Sequence, residues 1–187
     1  MFRFRMVVAG EVEMDRGLAR FTDGIADWRP IWPVFGDNFY AHLRQTFATE
    51  GDAGPGRWAP LSEKYAEWKA RRFPGRPILE RTGRLVASLT GPKAPGSIFK
   101  ATPQSLTVGS EIPYGIYHQT GTDRMPQRKE IALPEAAKRE MMRIAQMYLI
   151  QIASSAGFRR GLTPTEVGQL HAAKAKYPHW PLPWEKN

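Results

Sequence analysis

One segment constrains the rest of the chain more than any other. Between Pro134 and Gly157 there is neither proline nor glycine, and Ala137, Met141, Ile144, Tyr148 and Ile152 recur at helical spacing. Pro134 is a suitable first helical residue, because the amide hydrogen it lacks has no partner in a first turn. Gly157 supplies the stop. A helix with one apolar stripe is held mainly by what covers that stripe, so other elements must build a core against it. The apolar part of this run, Ile144 to Ala156, is interrupted by Gln146, Gln151 and serines and is far short of a membrane span, so no membrane association is expected.

The elements before it are shorter and broken by prolines and glycines. Asp15 to Trp28 reads as a helix with Leu18, Phe21 and Ile25 on one face, weakened by Gly17 and Gly24. WRPIWPVFGD, Trp28 to Asp37, breaks it. Asp37 then caps a second helix carrying Tyr40, Leu43 and Phe47, with Gly51 as its stop. In GRWAPLSEKYAEWKARR, Gly56 to Arg72, Ser62 is a good N-cap, and Tyr65, Trp68 and Arg72 share a face. Ile78 to Leu89 reads as a further helix with Ile78, Leu85 and Leu89 aligned. Ser97 to Ser110 reads as a hairpin connected through Thr102, Pro103 and Gln104.

Both ends differ from the middle. FRFRMVV alternates Phe2, Phe4, Met6 and Val8 with basic residues, which suits a strand or an arm that adds to a neighbour's sheet. Thr163-Pro164-Thr165-Glu166 is a capping box that starts a helix to about Lys176. The last stretch, YPHWPLPWEKN, is read as an extended arm that lays Trp180 and Trp184 on a partner, the alternative being a tail packed on its own domain. The division expected is 1–156 for the main domain and 157–187 for the C-terminal helix and arm.

The absence of cysteine excludes a disulfide framework, thiolate zinc sites and cysteine catalysis, and fits a reducing cytoplasm. The apolar run near the start, Met6 to Ala9, is too short for a secretory leader. His42, His118, His171 and His179 are too scattered for helical metal ligands, and neither a nucleophile elbow nor a P-loop occurs. Tyr114, Tyr117, His118, Asp123 and Arg124 could form an acid–base site, but nothing in their spacing demands it, and a loop contacting another chain fits equally well. No catalytic activity, metal or cofactor is expected. The net charge of +9 permits phosphate contacts or docking to an acidic protein.

Four phrases carry a resemblance. They are GRWAPLSEKYAEWKARR, ILERTGRLVASLT from Ile78 to Thr90, LTVGSEIPYGIYHQTG from Leu106 to Gly121, and MPQRKEIAL from Met125 to Leu133. In this order they resemble the virion morphogenesis family of tailed phages, the Mu-like tail-completion and head–tail joining proteins. The chain departs from the pattern at Gly115, where alanine is usual, and at Lys129 and Glu130, where an aromatic is common. The residues from Gly157 have no counterpart in it.

The resemblance implies an α+β subunit, with helices on a small antiparallel sheet. It implies a structural protein of the head–tail junction, assembled in the host cytoplasm, that forms a homo-oligomeric and commonly hexameric ring. That ring would touch tail tube and neck proteins, with DNA passing through its lumen. On this reading Trp58, Leu61, Tyr65, Trp68, Ile78, Leu85 and Leu89 build the subunit core. The polar loop Gly121 to Lys129 orders against a neighbouring subunit. Tyr117, His118, Arg124, Arg128, Trp180 and Trp184 are the expected partner contacts. The alternative is a basic DNA-binding accessory protein of phage assembly.

Overall fold

A computed structural model describes residues 11–54, 56–158 and 162–182. The expected N-terminal strand, Phe2 to Val8, and Trp184 lie outside these residues. In chain order the elements are α1 (Glu11–Ala26), α2 (Trp32–Ala48), α3 (Glu63–Arg72), α4 (Arg84–Thr90), β1 (Ser97–Ala101), β2 (Leu106–Ser110), α5 (Gly115–Thr120), α6 (Glu135–Ser155) and α7 (Pro164–Lys176). The architecture is α+β, with seven helices and a two-stranded antiparallel sheet among the described residues.

Two helices begin earlier than the sequence suggests. In α2 the first helical residue is Trp32, and Pro33 sits in the first turn, where its missing N–H costs nothing. Asp37 is therefore inside the helix and does not cap it. In α1 the glycines that weaken the sequence signal are what bring it close to α6. A Cβ on Gly24 would stand 2.5 Å from Ile152 Cγ2, and one on Gly17 would stand 3.1 Å from the Ala156 carbonyl oxygen. The loss of helix propensity is offset by close packing.

The helix expected over Ile78 to Leu89 is only α4. Leu79 takes a left-handed φ of 62°, and Gly83 takes φ 79° at the N-cap. The intervening residues therefore turn before the helix begins. The hairpin forms as the sequence suggests, with Ser97 opposite Ser110 and Phe99 opposite Val108. Its tip is tied to the α1–α2 corner: the Trp28 N–H donates to the Pro103 carbonyl, and Trp32 Nε1 donates to the Thr102 carbonyl, both at 2.7 Å.

Two apolar clusters share α2. Its first turns place Ile31 and Val34 against Ile144, Met147, Tyr148 and Ile152 of α6, together with Leu170, Ala173, Tyr177, Trp180 and Leu182. Its later turns place Phe39, Tyr40, Leu43 and Phe47 against Trp58, Leu85, Leu89 and Ile112. The capping box of α7 forms, with Thr163 and Glu166 each accepting from the other's backbone N–H.

Trp180, expected on a partner, is instead completely buried in the first cluster. Its Nε1 donates to Gln151 Oε1 at 3.3 Å, and Gln151 Nε2 donates to the Pro181 carbonyl at 2.6 Å. The buried Gln151 of α6 thus meets the polar groups that a proline-rich tail cannot pair within itself. Trp180→Ala should cost about 3–5 kcal/mol. Urea denaturation checks this, and a loss below about 1 kcal/mol would remove the tail from the core.

Candidate functional site

A groove of about 890 Å³ lies between α3, the turn before α4, α5 and the loop that follows α5. Ser62 starts α3 in an extended conformation but makes no side-chain cap bond. The helix is too polar to bury a whole face, and it presents Tyr65 and Trp68 as a stacked pair, ring centres 5.5 Å apart. Their exposure is 40% and 41%. This corrects the core role expected for them. Helical spacing places the two rings on one face but does not say that the face points inward.

The other expected core positions divide. Trp58, Leu85 and Leu89 are buried in the second cluster. Ile78 is half-buried against it, and Leu61 is half-buried in the wall of the groove. Opposite α3, α5 exposes Tyr117 at 55% and Ile116 at 57%. Tyr114 lies edge-on to His118. Arg81, Arg84 and Arg124 are exposed in the lining.

Two cations lie beneath these rings. Arg128 is 5% exposed; its Nε donates to the Ala59 carbonyl at 2.8 Å and its Nη2 to the Pro60 carbonyl at 2.9 Å. Burial pushes its pKa down, and the Tyr65 hydroxyl opposes this. Lys69 is 4% exposed, and its ammonium donates to the Pro77 carbonyl. Burial pushes its pKa down as well, opposed by the charges of Glu50 and Glu80.

No carboxylate among the described residues comes within ion-pair distance of Arg128, so its charge is met by backbone dipoles alone. Burial, then the Arg128 charge, holds His118 below the ordinary histidine range, and its Nδ1 has no partner. Lys69 is not among the contact residues the sequence suggests, and Glu130 stands out there only as a departure from the family pattern. For Lys69 the signal was its position one turn after Tyr65.

The loop Gly121 to Lys129, expected to order against a neighbouring subunit, is held by its own chain. Thr122 and Met125 form an isolated bridge. The Arg128 N–H donates to the His118 carbonyl at 2.8 Å. Gln119 acts like a short strand, donating to the Ile131 carbonyl at 2.7 Å and accepting from the Ile131 N–H at 3.0 Å. Arg128 is therefore an internal tie whose remaining surface lines the groove. Tyr117, His118 and Arg124 line the same groove, whereas Trp180 lies in the other half of the molecule.

Residues 11–155 match the phage virion morphogenesis family. The chain belongs to that family. No curated protein and no solved structure matches it. The phage virion morphogenesis family is one of structural and assembly proteins. The matched span ends with the last residue of α6, so α7 and the tail lie outside it. Every residue lining the groove except Arg124 falls in one of the four phrases that resemble the virion morphogenesis family.

Two departures from the family pattern also meet in space. A Cβ on Gly115 would stand 3.2 Å from Leu85 Cδ1 and 3.6 Å from Glu130 Oε1. Glu130 is 1% exposed, with Oε2 unpaired. Burial pushes its carboxyl up to about 7, opposed by its own backbone N–H. A carboxyl raised in the folded state is compatible with folding while both states are protonated, and becomes a penalty as pH rises from about 4.5 to about 7. Glu130→Gln should therefore match the wild type near pH 4.5 and exceed it at pH 8 by about 3 kcal/mol. Chemical denaturation at both pH values checks the prediction.

Proposed function

We propose that the chain is the subunit of a homo-oligomeric ring, hexameric by family resemblance, at the head–tail junction of the virion. There it completes or terminates the tail and joins it to the neck. The observation that most supports this reading is the convergence of the four family phrases on one groove. Its walls are exposed aromatic rings and its floor is a buried cation without a carboxylate. Such a surface is costly to leave in water and suits a protein partner with apolar and acidic groups.

Membership of a structural and assembly family supports a role in building particles. The position at the junction and the tail and neck partners rest on the resemblance described above. For DNA-binding proteins the expected surface is a cationic patch open to phosphates. Here Arg81, Arg84 and Arg124 are open to solvent, but Lys69 and Arg128 are screened from a duplex, being 4% and 5% exposed. Their charge is therefore better matched by a protein side chain that enters the groove.

Disabling the gene in its phage and imaging the lysate by electron microscopy tests the reading. Filled heads beside separate tails, some of irregular length, are the expected result. Normally joined virions would remove the completion role.

A further inference from the structure

We infer that the groove of one copy receives α1 of the next copy in the ring. This rests on the ring reading above and adds which two surfaces meet.

The first surface is the outward side of α1. Gly17, Phe21 and Gly24 turn toward the rest of the molecule, where the glycines meet Ala156 and Ile152 and Phe21 packs edge-on against Phe158. A second apolar stripe is left uncovered: Met14 is 57% exposed, Leu18 47% and Ile25 37%. Residues four and seven apart fall on one side of a helix. The same register sets Asp15 beside this stripe and puts Arg16 and Arg20, together with Glu13 and Asp23, on the far side. In a chain of net charge +9, α1 carries four acidic and two basic residues.

The second surface is the groove. It is lined by Lys69, Arg81, Arg84, Arg124 and Arg128, against one carboxylate, Glu80, which already pairs with Arg76 at 2.8 Å. Its exposed rings, Tyr65 and Tyr117, need apolar atoms across from them, and the α1 stripe supplies such atoms. Asp15, at the edge of the stripe, supplies the countercharge that Arg128 lacks. Opposite charge and matched apolar area are the two properties a specific docking surface requires.

Position decides what kind of contact this is. The α1 helix packs on α6 beside the first cluster, whereas the groove is built on Leu85 and its neighbours in the second. The two patches differ and belong to different halves of the molecule. Their union is therefore heterologous, and it repeats from copy to copy until the rotation closes. Duplex DNA fits less well, because it presents phosphates but no apolar face to the exposed rings.

Natural freedom from cysteine makes a direct test possible. Phage carrying Leu18→Cys and Tyr117→Cys together are treated with a short bismaleimide, and the particles are run on a denaturing gel. A ladder of cross-linked chains is expected from the double variant, and none from either single variant. Joined virions that need the protein but yield no ladder overturn the inference and leave the ring reading standing. Intact virions from the disabled gene overturn the ring reading itself.

If the double variant gives no particles, purified Leu18→Asp and Tyr117→Asp chains read the same contact, because each keeps one intact surface. Circular dichroism confirms that they are folded. Each alone should be monomeric, and an equal mixture should form a one-to-one complex and nothing larger by analytical ultracentrifugation. A mixture that stays monomeric overturns the inference, as do single variants that each still form rings.

Discussion

The groove depends on a reciprocal clasp between two distant stretches of chain. Trp58 Nε1 donates to the Lys129 carbonyl at 3.0 Å, while Arg128 donates to the carbonyls of Ala59 and Pro60. Each stretch thus gives and receives hydrogen bonds, and the partners are about seventy residues apart. The Trp58 ring also packs edge-on against Phe47 of α2, ring centres 5.4 Å apart. That contact anchors the clasp to the second cluster. A buried guanidinium is tolerated only when its donors are satisfied. Losing Arg128 would leave the Ala59 and Pro60 carbonyls without these donors, at about 1–3 kcal/mol for each buried group left unpaired. Without the clasp, α3 has little to hold it, since Lys69 is its one buried residue.

What was legible in the sequence was legible for local reasons. The α6 stripe, the α7 capping box and the hairpin are each specified by residues within a few positions of one another. The groove was legible only in part. The family resemblance points to Tyr117, His118, Arg124 and Arg128 as contact residues, and all four line it. Tyr65 faces outward against expectation, because periodicity gives a shared face without a direction. Lys69 and Glu130 are charged, and charged residues are read as solvated unless the fold covers them. That covering comes from segments far away in sequence. Trp180 was obscured for the same reason: nothing near a proline-rich tail announces that Gln151 will accept its indole N–H.

The edge of the family match does not coincide with an edge of the core. The match stops at residue 155, but α7 is bound to α6 by polar contacts as well as by burial. Glu140 accepts from the Tyr177 hydroxyl at 2.8 Å and from Lys176 at 2.9 Å, while Asn38 of α2 donates to the same hydroxyl at 3.0 Å. Pairing with Arg143 first, then with Lys176 and Tyr177, holds the Glu140 carboxyl far below the ordinary range. The segment outside the match therefore completes the surface that the α6 stripe requires.

Because α2 belongs to both clusters, the two halves have no independent means of yielding. A load applied at the groove reaches the tail through one continuous helix, and a load on the tail returns along the same path. Helix α2 is continuous from Trp32 to Ala48, and its central amides should open to solvent only when both clusters do. Bending between the two clusters would therefore require α2 itself to bend.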